Sequence, residues 1–235
     1  MYDIFFISYN ELNADKNFQL LKSKHPRAQR IHGIEGIFNA HQLAAKKSFT
    51  KMFWVVDGDA VVLDNFDFSY KLPVWQGDEH DVECVHVWRS QNPVNDLVYG
   101  YGGVKLLPKS LTANMNMSGV DMTTSISKLF KGMKEISNIT EFNTDPFSSW
   151  KSGFRECVKL SSRVIDRQKN DETQERLDVW CSVGKDKPFG EYVIQGALDG
   201  KAYGEANKND KEAIKKINDF SWLTTEFDKK YGTTN

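Results

Sequence analysis

The first part of the chain alternates between short apolar runs and polar stretches with helical spacing. Residues 2–9 are rich in aromatic and β-branched side chains and predict a buried strand. A second apolar run at residues 52–56 predicts another strand and stops abruptly at an acidic pair. Between these runs, helices are predicted after residue 13 up to residue 21 and over residues 37–49. Strands joined through helices in this way predict parallel pairing and an α/β layer architecture.

Beyond residue 81 the pattern predicts two further strands and three further helices. The strands cover residues 82–88 and 104–107, and the helices cover residues 124–137, 146–160 and about 210–229. Residues 163–187 are polar and charged, which predicts a long surface excursion. We therefore expect one α/β domain with a mostly parallel central sheet and a helical C-terminal extension. In it, residues 1–160 would form the α/β part, and residues 161–235 would form the excursion and a closing helix of the same domain.

Composition places the chain among ordinary globular proteins. Of its 235 residues, 40% are hydrophobic and 27% are charged, and the formal net charge is −1. No apolar run approaches the ~18 residues of a membrane span, so we expect none. The three cysteines show no CxxC spacing, which favours reduced thiols. With no visible secretory signal, a cytoplasmic location is expected.

The most informative motif is the acidic pair that ends the second apolar run. Asp57 and Asp59 flank Gly58, with apolar residues on both sides, so the pair is expected at the end of a buried strand. Ligands of open α/β sheets bind outside the carboxyl ends of strands. Two carboxylates this close repel each other unless a cation lies between them, and such oxygen ligands suit Mg²⁺ or Mn²⁺. An acidic turn that merely caps a strand is the alternative.

A strand that ends in D-x-D resembles the nucleotide-sugar-binding half of the GT-A class of glycosyltransferases. The resemblance implies a Rossmann-like fold and a metal-dependent transfer of a hexosyl or pentosyl group from a nucleotide-diphosphate sugar, the donor, to an acceptor. It also implies that residues 1–160 bind both donor and acceptor. It makes Asp57 and Asp59 the ligands of Mn²⁺ or Mg²⁺, which would grip the diphosphate. The residues that it places against the nucleotide sugar are Arg27, Arg30, Asn39, Asp57 and Gly58.

Residues 88–94 and 99–105 look more narrowly like a group of small glycosyltransferase-like proteins of tailed bacteriophages. That resemblance implies a modified base in phage DNA, such as hydroxymethylated cytosine, as the acceptor. Residues 102–135 are net basic, although the whole chain has a pI of about 6.5. A glycine-rich hairpin is the alternative reading of residues 99–103. The acceptor-binding candidates are Trp88, Arg89, Tyr101, Gly102, Gly103, Trp150 and Arg155.

Glycosyl transfer also needs a general base, or a carboxylate beside the anomeric carbon. Asp145 and Glu156 are the catalytic candidates. The alternatives are an N-cap for Asp145 and a pairing with a nearby basic residue for Glu156. The chain has no histidine after His86, so a third metal ligand would have to be a residue such as Glu205 or Asn207, or water.

Two other functions fit the acidic pair. In a phosphotransferase of the haloacid-dehalogenase class, Asp57 would be the nucleophile and Asp59 the general acid. That class also needs a downstream lysine and two closely spaced acids, and the chain contains no Asp-Asp pair. The other alternative is a non-catalytic module that binds nucleotide sugars.

Overall fold

Two units with different architectures make up the protein. The computed structural model describes residues 1–72, 82–100, 102–116, 121–164 and 169–232. Unit one comprises Met1–Asn92 with Val98–Glu141, and unit two comprises Pro93–Leu97 with Phe142–Asn235. The assignment of functions to residues 1–160 and 161–235 stays a prediction.

Unit one is built on an eight-stranded sheet in the order β2-β1-β3-β7-β5-β8-β4, with β6 paired to β5. The strands are β1 (Asp3–Ser8), β2 (Gln29–His32), β3 (Met52–Asp57), β4 (Ala60–Val62), β5 (Val85–Gln91), β6 (Val98–Tyr99), β7 (Val104–Pro108) and β8 (Phe130–Thr140). The α/β class is confirmed.

The expectation of a mostly parallel sheet is wrong. In the described part of the chain, β1 pairs parallel with β2 and β3, and β5 pairs parallel with β8. The pairs β3–β7, β4–β8, β5–β6 and β5–β7 are antiparallel. Parallel neighbours need a long crossover, which helices supply between β1, β2 and β3. No helix is described between β5 and β7, and this shorter connection returns the chain antiparallel.

Helices of unit one cover both faces of the sheet. They are α1 (Ala14–Lys24), α2 (Ile37–Lys47), α3 (Lys109–Ala113) and α4 (Met122–Ile126). One face carries a core around Phe6, Trp54 and Trp88, against which α1 packs. The other face carries a core around Phe53 and Val55, against which α2 packs. The alternation of strand side chains therefore buries both faces.

Unit two is helical throughout its described secondary structure. Its helices are α5 (Pro146–Ser162), α6 (Asn170–Ser182), α7 (Gly190–Ala206), α8 (Lys211–Lys215) and α9 (Phe220–Tyr231), with a 3₁₀ turn at Lys216–Asn218. None of the helices described in either unit is both long and apolar enough to cross a membrane.

The helix predicted over residues 124–137 is wrong. A short helix ends at Ile126, and strand β8 begins at Phe130. The apolar residues that suggested a buried helical face include Phe130 and Ile136, whose residues are 49% and 36% exposed. Pairing with β5 and β4 satisfies the backbone of this segment, and it outweighs the helical spacing of the side chains.

The surface excursion predicted over residues 163–187 is also wrong in its main part. Helix α6 occupies most of it and buries Thr173, Leu177 and Trp180, which lie on one helical face. Only these three residues of the helix are buried. Most of its other residues are polar or charged, which is why the composition of the segment predicts a surface excursion. The single helix predicted over about 210–229 is interrupted, because Asp219 caps a new helix through a hydrogen bond from the backbone N–H of Trp222.

Glycines explain why α7 was not predicted and how it packs. Glycine disfavours helices, yet Gly196, Gly200 and Gly204 lie on successive turns of the face of α7 that contacts α5. A Cβ atom built on Gly196 would lie 2.0 Å from the carbonyl oxygen of Trp150, and one on Gly200 would lie 2.2 Å from that of Phe154. The two backbones therefore approach to a distance that only glycine permits.

We predict that Gly200→Ala lowers the free energy of unfolding by about 3 kcal/mol, because the methyl group forces the two backbones apart. In an open helix the same change stabilises by about 1 kcal/mol. Urea denaturation followed by circular dichroism measures the difference. Leu198→Ala, at a half-exposed position of the same helix, is the control and should change stability by less than about 1 kcal/mol. A stabilised Gly200→Ala variant would contradict this account of the packing.

Candidate functional site

The acidic pair lies at an edge where three parallel strands end. β3 ends at Asp57, which is opposite Ile7 of β1, and Ser8 of β1 is opposite His32 of β2. All three strands run in the same direction, so their carboxyl ends share this edge of the sheet. Ligands of open α/β sheets bind at such an edge. The predicted position of the acidic pair at the end of a strand is confirmed.

Three hydrogen bonds hold the backbone of this D-G-D turn (residues 57–59). The N–H of Asp57 donates to the carbonyl of Gly103 at 2.9 Å. The carbonyl of Gly58 accepts from Nδ2 of Asn17 at 3.1 Å, and the carbonyl of Asp59 accepts from the N–H of Glu141 at 2.7 Å. The turn is thus tied to α1, to the segment before β7 and to the residue after β8.

A side chain at the centre of the turn would displace its neighbours. A Cβ atom built on Gly58 would lie 2.7 Å from Oε2 of Glu11 and 3.0 Å from Cβ of Ser8. The Glu11 carboxylate is itself held, since it accepts from the N–H of Tyr9 at 2.7 Å. The predicted contact of Gly58 with a nucleotide sugar stays a prediction.

A buried lysine neutralises the first aspartate. Nζ of Lys105 lies 2.8 Å from both Oδ1 and Oδ2 of Asp57, and it also donates to the carbonyl of Gly102. Lys105 is 2% exposed, whereas the Asp57 side chain is 32% exposed. In the antiparallel ladder Lys105 is opposite Val55, two residues before Asp57, so both side chains project from the same face of the sheet. The ammonium group therefore contacts three oxygen atoms, two of them in the Asp57 carboxylate.

His41 lies on the buried side of α2, and the ammonium group of Lys105 affects its pKa. It is 1% exposed, and its Nδ1 lies 2.7 Å from the carbonyl of Ile37, so Nδ1 carries the proton that it donates. Burial, followed by the positive charge of Lys105, lowers the pKa of His41 to about 3. The imidazole is therefore neutral at physiological pH.

Arg30 brings a permanent positive charge to the edge where the parallel strands end. Its Nε donates to Oγ of Ser8 at 2.9 Å, and its Nη1 binds Oδ1 of Asp15 at 2.6 Å. Oγ of Ser8 also lies 3.0 Å from Nδ1 of His32. Cζ of the guanidinium lies 5.6 Å from the ring centroid of Phe18, within the range of a cation–π contact.

The other residues predicted to bind the nucleotide lie elsewhere in unit one. Arg27 precedes β2, and its Nη2 lies 3.7 Å from Sδ of Met1, which places it at the amino ends of the parallel strands. Asn39 is exposed in the first turn of α2, and its Nδ2 donates to the carbonyl of Glu35 at 2.9 Å. The structure brings Arg30, and not Arg27, to the edge that holds the D-G-D turn.

The described glycines of the 99–103 segment support the D-G-D turn. Gly102 has φ +78° and offers its carbonyl to Lys105. A Cβ atom on Gly103 would lie 2.6 Å from Nδ2 of Asn138. These contacts give both glycines a packing role beside the acidic pair. Tyr101 lies outside the described residues.

The two acceptor candidates on β5 differ in exposure. Trp88 is 1% exposed, and its ring packs against Trp54, Phe66 and Tyr70 with centroid distances of 4.7, 5.8 and 5.4 Å. It belongs to the core, which leaves no exposed face for an acceptor in this conformation. Arg89 is exposed.

In unit two, the four predicted residues all have structural partners. Oδ1 of Asp145 caps α5 by accepting from the N–H of Ser148 at 2.8 Å, and Glu156 lies 3.5 Å from Nζ of Lys159. The indole N–H of Trp150 donates to Asp199 at 2.9 Å, and Nε of Arg155 donates to the carbonyl of Ile217 at 2.8 Å. Their catalytic and acceptor-binding roles stay predictions.

The residues at the turn do not fit a divalent metal ion as they stand. Both oxygens of Asp57 are in contact with the ammonium group of Lys105. Throughout the residues that the structure describes, no three His, Cys, Asp or Glu side chains form a group that could hold a metal. The alternative ligand Glu205 is exposed near the end of α7 in unit two. No step proposed below passes through a metal ion.

Sequence reasoning missed the residues that hold the turn. Lys105 is one of the charges that make residues 102–135 net basic, and its place inside the apolar run 104–107 is itself a sign of a buried ion pair. Asn17 lies on the buried face of α1, together with Ala14 and Leu21. A polar residue on the apolar face of a helix indicates a specific hydrogen bond.

Comparisons with known proteins give no further identification. No protein-family model matches the chain, and no curated protein matches it by sequence.

We predict that His41 contributes to a loss of stability at mildly acidic pH. In the folded protein its pKa is about 3, whereas an unfolded histidine binds a proton near its ordinary pKa of 6.5. Between these values the unfolded state binds more protons, so stability falls as the pH falls, by up to about 1.4 kcal/mol per pH unit near pH 5. Above pH 6.5 the contribution is fully present.

Urea denaturation of wild type and His41→Gln at several pH values measures this slope. Between about pH 4.5 and about pH 6, the free energy of unfolding of the variant should depend less steeply on pH than that of the wild type. The difference in slope should correspond to one proton. Asn39→Ala, on the exposed side of the same helix, should keep the wild-type slope. Equal slopes for wild type and His41→Gln would show that His41 titrates normally in the folded protein.

Proposed function

We propose that this protein transfers a sugar from a nucleotide-diphosphate sugar to an acceptor. The observation that carries the proposal is the D-G-D turn, fixed by three hydrogen bonds at the shared carboxyl edge of β1, β2 and β3. This edge is where α/β sheets bind nucleotides, and the turn is the motif by which the sequence resembles GT-A glycosyltransferases. A GT-A-like fold is part of the proposal.

The chemistry of the edge suits a sugar nucleotide. Carboxylates accept hydrogen bonds from sugar hydroxyls, and the guanidinium of Arg30 is a donor suited to phosphate oxygens. Arg30 is held there by Ser8 and Asp15. In the transfer, the acceptor oxygen displaces the nucleoside diphosphate at the anomeric carbon, and a base takes the acceptor proton. Asp145 and Glu156 are the proposed candidates for that base.

We further propose hydroxymethylated cytosine in phage DNA as the acceptor, with a cytoplasmic site of action. The support is an exposed basic surface on unit one. Lys128, Lys131 and Lys134 are exposed at and before β8, and the exposed Arg89 is on the neighbouring strand. Lys105 and Lys109 do not belong to this surface, because they bind Asp57 and the carbonyl of Ser48.

One observation favours the haloacid-dehalogenase alternative, in which Asp57 attacks a phosphoryl group. That class uses a downstream lysine, and Lys105 lies against Asp57. The bidentate ion pair opposes it, because an ammonium group on both oxygens lowers their nucleophilicity. The missing Asp-Asp pair opposes it as well. Release of phosphate from p-nitrophenyl phosphate by the wild type, lost in Asp57→Asn, would establish the alternative.

We predict that the protein binds a UDP- or GDP-sugar and that Asp59→Asn weakens binding by at least about tenfold. Isothermal titration calorimetry with a panel of such donors measures the affinity. Asp64→Asn is the matched control, since Asp64 pairs with Lys24 on the surface of unit one, and it should bind like the wild type. Absence of binding for every donor would contradict the proposed function.

We predict transfer of a labelled sugar to duplex DNA that contains hydroxymethylated cytosine, and none to unmodified duplex. The double variant Lys131→Glu and Lys134→Glu should reduce transfer by at least about tenfold, with unchanged donor affinity, because it reverses two charges that would face phosphates. The control reverses Lys185 and Lys187, two exposed residues of unit two. Label on a protein or glycan acceptor alone would contradict DNA as the acceptor.

A further inference from the structure

The ion pair at the D-G-D turn disagrees with the metal ion that the resemblance implies. We propose that Lys105 is the resident cation of this turn, so that Asp57 binds no divalent metal and the donor is bound without one. The inference rests on the proposed function for the identity of the ligand. The exclusion of metal from Asp57 rests on the ion pair alone. Lys105 is a positioning residue, because it acts through Asp57.

The contacts of Lys105 define a built position for its ammonium group. Its three acceptors are Oδ1 and Oδ2 of Asp57, each at 2.8 Å, and the carbonyl of Gly102. The two carboxylate oxygens lie on one side of the ammonium group and share its N–H donors, and a further N–H is directed to the carbonyl of Gly102. Gly102 presents its carbonyl from a conformation with φ +78°, which favours glycine. The segment before β7 is therefore shaped around the ammonium group.

The position of Lys105 in the sheet keeps the ammonium group in place. Its neighbours Val104 and Leu106 are fully buried on β7, and the strand pairs with β3 on one side and β5 on the other. A lysine at the centre of a paired strand cannot swing into solvent as a surface lysine does. Leaving Asp57 would place a buried charge without its partner, which is strongly unfavourable.

A divalent ion at Asp57 would compete for the same two oxygens. Mg²⁺ and Mn²⁺ bind carboxylate oxygens at roughly 2.0–2.2 Å, so an ion held by Asp57 would lie within a few ångströms of Nζ. Two positive charges at that distance repel each other, and the ammonium group of Lys105 is buried away from water. The ammonium group already balances the charge of Asp57, which removes the electrostatic need for a metal at this residue.

A titration with Mn²⁺ alone tests the exclusion of metal without any assumption about the donor. Electron paramagnetic resonance of the free ion measures how much Mn²⁺ is bound. We expect no saturable binding by the wild type at Mn²⁺ concentrations up to roughly 1 mM. Lys105→Met exposes the Asp57 carboxylate and should tighten Mn²⁺ binding by at least about tenfold. Adding Asp57→Asn to that variant should abolish the gain.

Two controls separate this effect from a general loss of positive charge or of structure. Lys109→Met removes a lysine that donates to the carbonyl of Ser48 and should leave Mn²⁺ binding as in the wild type. Lys105→Arg keeps the charge and should also bind no Mn²⁺. If circular dichroism shows that Lys105→Met does not fold, the titration of the wild type with Mn²⁺ decides whether the inference holds. Saturable binding that Asp57→Asn removes would overturn the inference.

Donor binding with and without metal separates the inference from the proposed function. Equal donor affinity in Mn²⁺ and in excess chelator, within about twofold, supports both. Affinity that rises by about tenfold or more with Mn²⁺ overturns the inference and leaves the proposed function standing. No donor binding under either condition overturns the proposed function, while the titration with Mn²⁺ alone still decides the role of Lys105.

Discussion

An ammonium group held among three oxygens is the contact on which the geometry of the D-G-D turn depends. Asp57 ends a strand whose five preceding residues, 52–56, are buried, so its carboxylate lies beside the apolar core and needs a compensating charge close by. Lys105 supplies that charge from the neighbouring strand, and Gly102 supplies the third acceptor. Hydrogen bonds from Asn17 and Glu141 then fix the rest of the turn. The acidic pair is thereby placed at the sheet edge by the fold itself.

The mixed sheet is what makes this contact available. β7 runs antiparallel beside β3, so the residue two positions before Asp57 pairs with Lys105, and the side chains meet on one face. A parallel neighbour reached through a crossover would have brought its own carboxyl end to the edge instead. The antiparallel direction of β7 therefore has two consequences. The sheet is mixed, and Lys105 reaches Asp57.

The spacing of nearby residues was enough to predict those elements whose structure does not depend on a distant part of the chain. The strand before Asp57, the helix from Pro146 and the N-cap alternative for Asp145 all follow from short-range spacing. Residues 124–137 could not be predicted in this way, because β8 depends on a distant partner strand. Helix α7 depends likewise on the backbone of α5, which its glycines contact. The partner of Asp57 lies 48 residues away along the chain, and only the strand register identifies it.

A crystal structure of the protein grown with Mn²⁺ and a nucleotide-diphosphate sugar tests the central claim most directly, because the anomalous signal of manganese locates the ion without interpretation of the ligand. The account predicts the sugar nucleotide at the carboxyl edge of β1, β2 and β3, Nζ of Lys105 still against both oxygens of Asp57, and no manganese peak at that carboxylate. A manganese peak coordinated by Asp57, with the lysine displaced, would contradict it.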